Sequence, residues 1–435
     1  MGILWIHSGD PAKSDNQCVM NNMLLSDLVI ERFKGKYYIR QVNQQVTDFP
    51  LKCTPYLSEC NPHVLVYGGY NAGCSARYVM PNLKETEDSF ICIDPHGEHR
   101  AAISRDLVNR GYTVKTLNLL NLAASDDCYN PFVYVRNMFD IESLADIIFQ
   151  GNRSSDPFWD DAAKCLLQAL MLYVYLEYPA EQQNFREVYK LVDKASTLSE
   201  SSLFEDLEER DPEHIAVKYW FKYAQLTDPC KSTITATLKT KLAPFDPSNF
   251  AYEGVKKLTG TDTLELAEMG HRKTALFVEI SNCDSTFYFL ASMLIKQAFH
   301  VLLDEALFKC RGLLPVPVRF YIEELRLHNL PKDFDRLLAV SGSCGVSVSR
   351  IITDFAGLKE PQASRSNYGT LLYLGGGDVE QVLEVQAEFS NGGFLRKKEL
   401  TKMSLDEAVV WVRGLNSIKG VKLSPVYSLL KSSET

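Results

Sequence analysis

The feature that most constrains the fold is a series of apolar, β-branched segments that each end in glycine, proline or acidic residues. Continuous segments of this kind fit strands buried on both faces better than half-exposed antiparallel strands. Helical patterns separate most of them, which predicts an α/β fold with a mainly parallel, doubly wound sheet. The segments are 63–69, 89–95, 112–119, 274–280, 316–324, 346–352 and 369–376.

Between the third and fourth of these segments lies a long stretch with helical patterns only. It opens with Asp156 as a helix N-cap and Pro157 at the first helical position, followed by apolar residues at helical spacing. Asn184, with Glu187 three residues on, predicts a second helix start. We therefore predict an all-α domain inserted into the sheet domain. The predicted division has three parts. An N-terminal segment at 1–60 packs on the core, a discontinuous sheet domain covers 61–154 and 262–435, and the inserted all-α domain covers 155–261.

Charge and hydropathy exclude several classes of protein. The formal net charge of −9 argues against a generally basic, nucleic-acid-binding surface. The longest apolar stretch, 165–175, contains Gln168 and is too short to cross a bilayer. Residues 1–10 lack the basic start and apolar run of a secretory signal. The eleven cysteines show no C-x-x-C pair and no Cys/His set at zinc spacing. These features predict a cytoplasmic protein with buried, reduced thiols.

A glycine-rich turn follows the first strand segment, with the G-x-x-x-x-G-x-S spacing of a phosphate-binding P-loop at 68–75. In such loops backbone N–H groups surround the phosphates, a lysine reaches the β and γ oxygens, and the hydroxyl binds Mg²⁺. Here Cys74 stands at the lysine position. A charge-assisted hydrogen bond contributes about 1.5–3 kcal/mol and also stabilises charge during phosphoryl transfer, so its loss should lower turnover more than binding. The predicted nucleotide-binding residues are Gly68, Gly69, Asn71, Gly73, Cys74 and Ser75.

Taken alone, this glycine-rich turn also fits an ordinary strand-to-helix connection. The P-loop prediction therefore depends on acidic residues elsewhere in the chain. The strand segment at 316–322 runs into Glu323 and Glu324. The end of such a strand is where a Walker B motif places a Mg²⁺-associated carboxylate and a carboxylate that orients the attacking water. We predict Ser75 and Glu323 as Mg²⁺ ligands and Glu324 as the catalytic carboxylate if the protein is active. The alternative is that both acids are a solvated helix start.

Taken together, these motifs resemble the TraG/TraD-type coupling-protein family of conjugative type IV secretion. The resemblance implies a RecA-like P-loop NTPase core that carries ATP at the subunit boundaries of a membrane-anchored hexamer, and an all-α domain facing the relaxase and its DNA. The further segments that carry it, in chain order, are Pro81-Asn82-Leu83, Asp94-Pro95-His96-Gly97-Glu98, Asn130-Pro131, Asp156-Pro157-Phe158-Trp159, Leu242-Ala243-Pro244-Phe245, Lys273-Thr274-Ala275-Leu276-Phe277, Pro331-Lys332-Asp333-Phe334 and Leu374-Gly375-Gly376.

The chain departs from that family at the chemical positions. Cys74 replaces the lysine, and Glu323 replaces the Walker B aspartate. Gly342-Ser343-Cys344 and Thr353-Asp354 stand where the family has an Arg-Ser-Arg segment and a polar glutamine. Four concurrent losses beside a preserved core pattern predict a pseudo-ATPase that acts as a binding or assembly subunit. ATP and Mg²⁺ are the candidate ligands, and the lost lysine counts against both.

Two alternatives stay open. One is an active DNA-translocating ATPase with a non-standard P-loop, in which a substitute cation, with Arg77 nearest, replaces the lysine. The other is a decaying mobile-element relic that still folds. The expected partners are type IV secretion components or a relaxase–DNA complex, in a homo- or mixed hexamer. Since the chain shows no intrinsic membrane span, we expect it to reach the bacterial inner membrane peripherally, through partners.

Overall fold

One twelve-stranded sheet organises the part of the chain that the structure, a computed structural model, describes. The described residues are 4–7, 28–33, 36–41, 62–69, 71–150, 156–196, 203–249, 252–323, 325, 329–353, 365–376, 407–412 and 418–421. The strands are β1 Leu4–His7, β2 Leu28–Phe33, β3 Lys36–Gln41, β4 Val64–Tyr67, β5 Ser89–Pro95, β6 Thr113–Asn118, β7 Thr274–Ile280, β8 Val318–Ile322, β9 Val346–Ile352, β10 Thr370–Tyr373, β11 Glu407–Val412 and β12 Ile418–Val421.

The spatial order of the strands is β3-β2-β1-β12-β11-β10-β4-β9-β8-β5-β7-β6. From β10 to β6 every neighbouring pair is parallel. From β3 to β10 every pair is antiparallel. Each of the predicted segments contains one strand of the parallel part, so the predicted mainly parallel α/β sheet is confirmed. The antiparallel strands were not predicted: Lys36–Gln41 lacks a continuous apolar segment, whereas Glu407–Val412 contains one that was not recognised as a strand.

The helices fill the connections between these strands. They are α1 Met80–Glu85, α2 Glu98–Asn109, α3 Met138–Phe149, α4 Pro157–Glu177, α5 Phe185–Ser196, α6 Leu203–Arg210, α7 Ile215–Ala224, α8 Asp228–Lys241, α9 Glu253–Gly260, α10 Tyr288–Asp304 and α11 Phe334–Ser341. Wide helical turns of the π type, Cys74–Val79 and Glu305–Lys309, directly precede α1 and follow α10. None of the helices in the described ranges is long and apolar enough to cross a membrane.

The long connection between β6 and β7 contains helices and no strand within its described residues. Asp156 caps α4, since its carboxylate accepts from the Phe158 N–H at 3.0 Å. Asn184 accepts from the Glu187 N–H at 3.1 Å at the start of α5. Both predicted helix starts are therefore confirmed. The boundaries of the inserted domain and of the N-terminal segment stay predictions.

The parallel strands are buried on both faces, which explains their continuous apolar sequences. Alternate residues of β5 enter different apolar clusters: Ile91 and Ile93 join the larger one, whereas Phe90 and Cys92 join the smaller one. The larger cluster continues into the helices between β6 and β7, and the smaller one packs under α1 and α2. Because neither face meets water, no polar alternation is needed.

We predict that Phe299→Ala destabilises the protein by about 3–5 kcal/mol, because it removes a fully buried aromatic ring. Phe299 of α10 stacks on Phe320 of β8 with ring centroids 4.3 Å apart, and it meets Phe334 edge-on. The measurement is denaturant-induced unfolding of both proteins. Phe308→Ala is the matched control, since this ring is 80% exposed and its loss should change stability by less than about 0.5 kcal/mol. Equal losses in the two variants would contradict the packing described.

His63, immediately before β4, is a buried link between three elements. Its Nε2–H donates to the Leu338 carbonyl of α11 at 2.8 Å, and its Nδ1 accepts from the Val348 N–H of β9 at 2.9 Å. This pairing requires the neutral ring. Burial lowers the pKa of His63 to about 4, although the Leu338 carbonyl opposes the shift.

The lowered pKa of His63 predicts a loss of stability in mild acid. The unfolded chain takes up this proton near pH 6.5 and the folded chain only near pH 4, so the contribution is complete above pH 6.5 and is lost as the pH falls toward 4. The full contribution is about 3 kcal/mol. Unfolding free energies of the unmodified protein and of His63→Gln, measured from about pH 7 to about pH 4, should converge as the pH falls. Parallel curves would show that His63 does not titrate this way.

Candidate functional site

The loop that joins β4 to the following helix is held against both neighbouring strands. The Gly68 N–H donates to the Ile352 carbonyl of β9 at 3.1 Å, and the Gly69 N–H donates to the Gly375 carbonyl after β10 at 3.0 Å. Asn71 and Gly73 have positive φ angles of 63° and 91°. Only glycine and, at some cost, asparagine adopt this conformation readily, so the loop has residues suited to its backbone.

Cys74 fills the space beneath this loop. Its Sγ is 3.6 Å from the Gly68 carbonyl oxygen, to which the thiol donates, and the residue is buried. A Cβ atom added at Gly68 would lie only 2.4 Å from that sulfur. The side chain therefore turns back onto its own loop. It is uncharged as a thiol, and it supplies no cation to a ligand held above the loop.

Ser75, one residue further, meets the end of β8. Its hydroxyl donates to Oε1 of Glu323 in a short hydrogen bond. Strands β4 and β8 are separated by β9, hence by about 10 Å, so the hydroxyl reaches the carboxylate from the first turn of the helix. The other oxygen, Oε2, accepts from His99 Nε2 at 3.1 Å. Both oxygens of this buried carboxylate are thus engaged.

His99 is the second side-chain partner of this buried carboxylate. Burial would lower the pKa of His99, but the hydrogen bond and charge of Glu323, with the charges of Asp94 and Glu98, outweigh burial and raise it. The contact with Glu323 thus stabilises the protonated ring relative to an isolated buried imidazole. The sequence places His99 directly after the Asp94-Pro95-His96-Gly97-Glu98 segment. It gave no signal for the contact with Glu323, which lies 224 residues away.

The turn after β5 orients His99. Asp94, fully buried, accepts from the N–H groups of His99 and Arg100 at 3.0 and 2.8 Å, and so caps α2. Burial raises the pKa of Asp94 despite the nearby charge of His99 and these two backbone N–H bonds. Arg100 pairs with Glu279 at the end of β7, with Nε and Oε1 2.5 Å apart.

The structure brings some of the predicted residues together and separates others. Glu323 joins the loop residues through Ser75, and Thr353 follows β9 at the same end of the sheet. Gly342–Cys344 precedes β9 and so lies at the opposite end. Glu324, the predicted catalytic carboxylate, lies outside the described residues, as does Asp354.

Comparison with known families gives one extensive match. The sequence profile described as Type IV secretory system Conjugative DNA transfer matches residues 14–327. No curated protein sequence matches the chain.

Solved structures share the fold at low sequence identity. The unbound monoclinic form of the bacterial conjugative coupling protein TrwBdeltaN70 is 16% identical, with a TM-score of 0.61 over 85% of this chain and 86% of that one. The plasmid coupling protein TrwB in complex with ADP and Mg²⁺ is 18% identical, with a TM-score of 0.57 over 83% and 85%. VirB4 of Thermoanaerobacter pseudethanolicus is 13% identical, with a TM-score of 0.53 over 85% and 91%. The predicted P-loop NTPase-like fold is confirmed.

The position of the Cys74 sulfur predicts strong coupling between two substitutions. Gly68→Ala should destabilise the protein by about 1–3 kcal/mol, because its new methyl group meets that sulfur. In a Cys74→Ala background most of this cost should vanish, since the next contact of the new methyl group is with Ala72 at 3.3 Å. A double-mutant cycle by denaturant unfolding measures the coupling. Additive effects would show that the thiol does not lie under the loop.

Proposed function

This chain belongs to the type IV secretory system family for conjugative DNA transfer, and from that premise we propose that it is a pseudo-ATPase acting as a binding or assembly subunit. The chain is a coupling-protein homologue, so its role lies in conjugative DNA transfer. The observation that carries the finer proposal is the orientation of Cys74, whose thiol donates to the Gly68 carbonyl.

The loss of the lysine lowers the rate of hydrolysis more than the affinity for nucleotide. A lysine at this position would add one charge-assisted hydrogen bond, which contributes about 1.5–3 kcal/mol. If that contribution is lost only in the transition state, turnover falls by roughly ten- to a hundredfold. The loss comes on top of the changes at Glu323 and at 342–344 and 353–354. Together they leave a loop that can hold phosphate without efficiently transferring it.

The residues around the loop fit a nucleotide in part. Backbone N–H groups in the loop conformation of Asn71 and Gly73 suit phosphate oxygens. The Ser75 hydroxyl and Glu323 carboxylate supply the oxygen ligands that Mg²⁺ takes, and they are already in contact. When bound, Mg²⁺ would offset phosphate charge. TrwB has been solved with ADP and Mg²⁺ and with a non-hydrolysable ATP analogue, which supports the same ligand class here.

The contact of His99 with Glu323 lowers the affinity of this site for a metal ion. The His99 ring already bonds Oε2 of Glu323, so a metal ion at this oxygen has to displace that partner. We therefore infer that Mg²⁺ and ATP bind weakly, with Ser75 and Glu323 as the metal ligands and the loop residues 68–75 as the phosphate site.

The second candidate is an active DNA-translocating ATPase. The contact between Ser75 and Glu323 is the observation in its favour. This function needs a substitute cation, either Arg77, whose side-chain stem packs against Gly73, or an arginine from a neighbouring subunit. It also needs Glu324 as the residue that orients water.

The proposed partners are type IV secretion components or a relaxase–DNA complex, in a homo- or mixed hexamer held at the bacterial inner membrane through those partners. The net charge of −9 implies that any contact with DNA is local. The assembly role is tested by mixing the purified chain with a catalytically intact coupling protein and measuring mass by analytical ultracentrifugation. A chain that neither self-associates nor joins the mixture would contradict this role.

We predict nucleotide binding without turnover. Isothermal titration with Mg²⁺-ATP should give an affinity on the order of micromolar, and phosphate release from the same sample should stay at the buffer baseline. Ser75→Ala should weaken the Mg²⁺-dependent part of binding roughly ten- to a hundredfold, because it removes one metal ligand. Ser343→Ala is the matched control, since this exposed serine precedes β9 at the far end of the sheet.

The two candidate functions differ in one outcome of this experiment. Mg²⁺-dependent phosphate release that disappears in Glu324→Gln would establish the active ATPase and remove the pseudo-ATPase. If no nucleotide binds at all, the assembly role is retained and its control by nucleotide is excluded.

A further inference from the structure

We propose that His271, Glu305 and Cys310 form a binding site for a zinc-type divalent ion, separate from the phosphate loop. One ligand atom of each residue lies within 4.8 Å of the other two. His271 Nε2 and Glu305 Oε1 are already 2.9 Å apart. Imidazole nitrogen, carboxylate oxygen and thiolate sulfur are the donors that Zn²⁺ takes in proteins, so the donor set identifies the class of ion.

The backbone explains how residues five apart come to share one site. In an α-helix, residues 305 and 310 would lie about 140° apart around the axis. Here the helix widens after Asp304 into the turn Glu305–Lys309, and the Cys310 N–H donates to the Glu305 carbonyl at 3.0 Å. This wider, i to i+5 spacing returns Cys310 to the side of Glu305. Single π turns inside helices are often found at functional sites.

The third donor comes from a segment held in place independently. His271 follows the turn Leu266–Gly270 and precedes β7. The Gly270 carbonyl accepts from the Val316 N–H at 2.9 Å, and the His271 N–H donates to the Glu268 carbonyl at 3.0 Å. These bonds fix the backbone beside the imidazole. Because His271 lies at the amino end of β7 and the phosphate loop lies at the carboxyl ends of the strands, the two sites are at opposite edges of the sheet.

The geometry needs only side-chain movement to hold the ion. With bond lengths of about 2.0–2.3 Å and tetrahedral angles, ligand atoms lie about 3.5 Å apart. The widest separation in the cluster, at most 4.8 Å, therefore has to shorten by about 1 Å. The three residues leave a fourth position for water. Bound there, the ion would tie the end of the α10 helix to the start of β7.

The carboxylate of Glu305 is paired with an exposed lysine side chain. Its Oε2 accepts from Lys309 Nζ at 2.7 Å, so the carboxylate already has a cationic partner. The lysine side chain is 69% exposed, so it can leave for solvent when a metal ion brings its own positive charge. Coordination by His271 requires the neutral ring and by Cys310 the thiolate, so binding releases protons.

The test uses the full chain, first treated with a chelator and then titrated with Co²⁺, a spectroscopic substitute for Zn²⁺. We expect one ion per chain, a thiolate-to-cobalt charge-transfer absorption, and its displacement by Zn²⁺ with an accompanying release of protons. Cys310→Ser should abolish the absorption. Cys230→Ser, a similarly half-buried cysteine in α8, should leave it unchanged.

A second variant guards against misfolding. The His271 side chain is 38% exposed, so His271→Ala should keep the metal-free unfolding midpoint while lowering Co²⁺ affinity by at least tenfold. An absorption that survives Cys310→Ser would place the metal at other cysteines. No absorption in the unmodified protein, or equal affinity in His271→Ala, would also overturn the proposal. None of these readouts depends on nucleotide, so failure here leaves the proposed pseudo-ATPase untouched.

Discussion

The rest of the structure depends on the burial of the parallel strands on both faces. Each strand from β10 to β6 presents alternate side chains to two separate apolar clusters, as Ile91 and Phe90 do in β5. Polar side chains inside such strands carry a desolvation cost and need internal partners, as Arg319 has in Ser349. The buried acidic residues Asp94, Glu279 and Glu323 lie at the carboxyl ends of their strands. All carboxyl ends meet at one edge, and the loop 68–75 and the acidic residues therefore converge there.

The convergence of carboxylates at this edge is electrostatically unfavourable, and the first turn of α2 compensates for it. Asp94, Glu279 and Glu323 end three neighbouring strands and are each nearly inaccessible to solvent. Buried carboxylates are costly unless they are paired. The first turn of α2 supplies the partners: His99 bonds Glu323, Arg100 bonds Glu279, and the backbone N–H groups of both residues bond Asp94. The first turn of α2 thus provides hydrogen-bond partners for the carboxylates at the ends of three strands.

The sequence was informative where a local pattern decides the structure. Continuous apolar segments located the parallel strands, and Asp156 located a helix start, because both depend on residues close in the chain. Of the antiparallel strands, Lys36–Gln41 lacks that pattern, whereas Glu407–Val412 has it and was missed nonetheless. The contact of His99 with Glu323, and the cluster of His271 with Glu305 and Cys310, were out of reach. Each joins residues far apart in sequence, and the cluster also needs a helical turn of non-standard width.

The chain of contacts from Ser75 through Glu323 to His99 bears on why the loop can persist without its lysine. A buried carboxylate with an unused oxygen would be destabilising, and a bound cation would relieve that cost. Here both oxygens already accept hydrogen bonds, one from a hydroxyl and one from the His99 ring. Both oxygens of this carboxylate therefore have hydrogen-bond partners within the protein itself. A metal ion at Glu323 would have to displace these internal partners, and this competition is the physical basis of the weak binding proposed above.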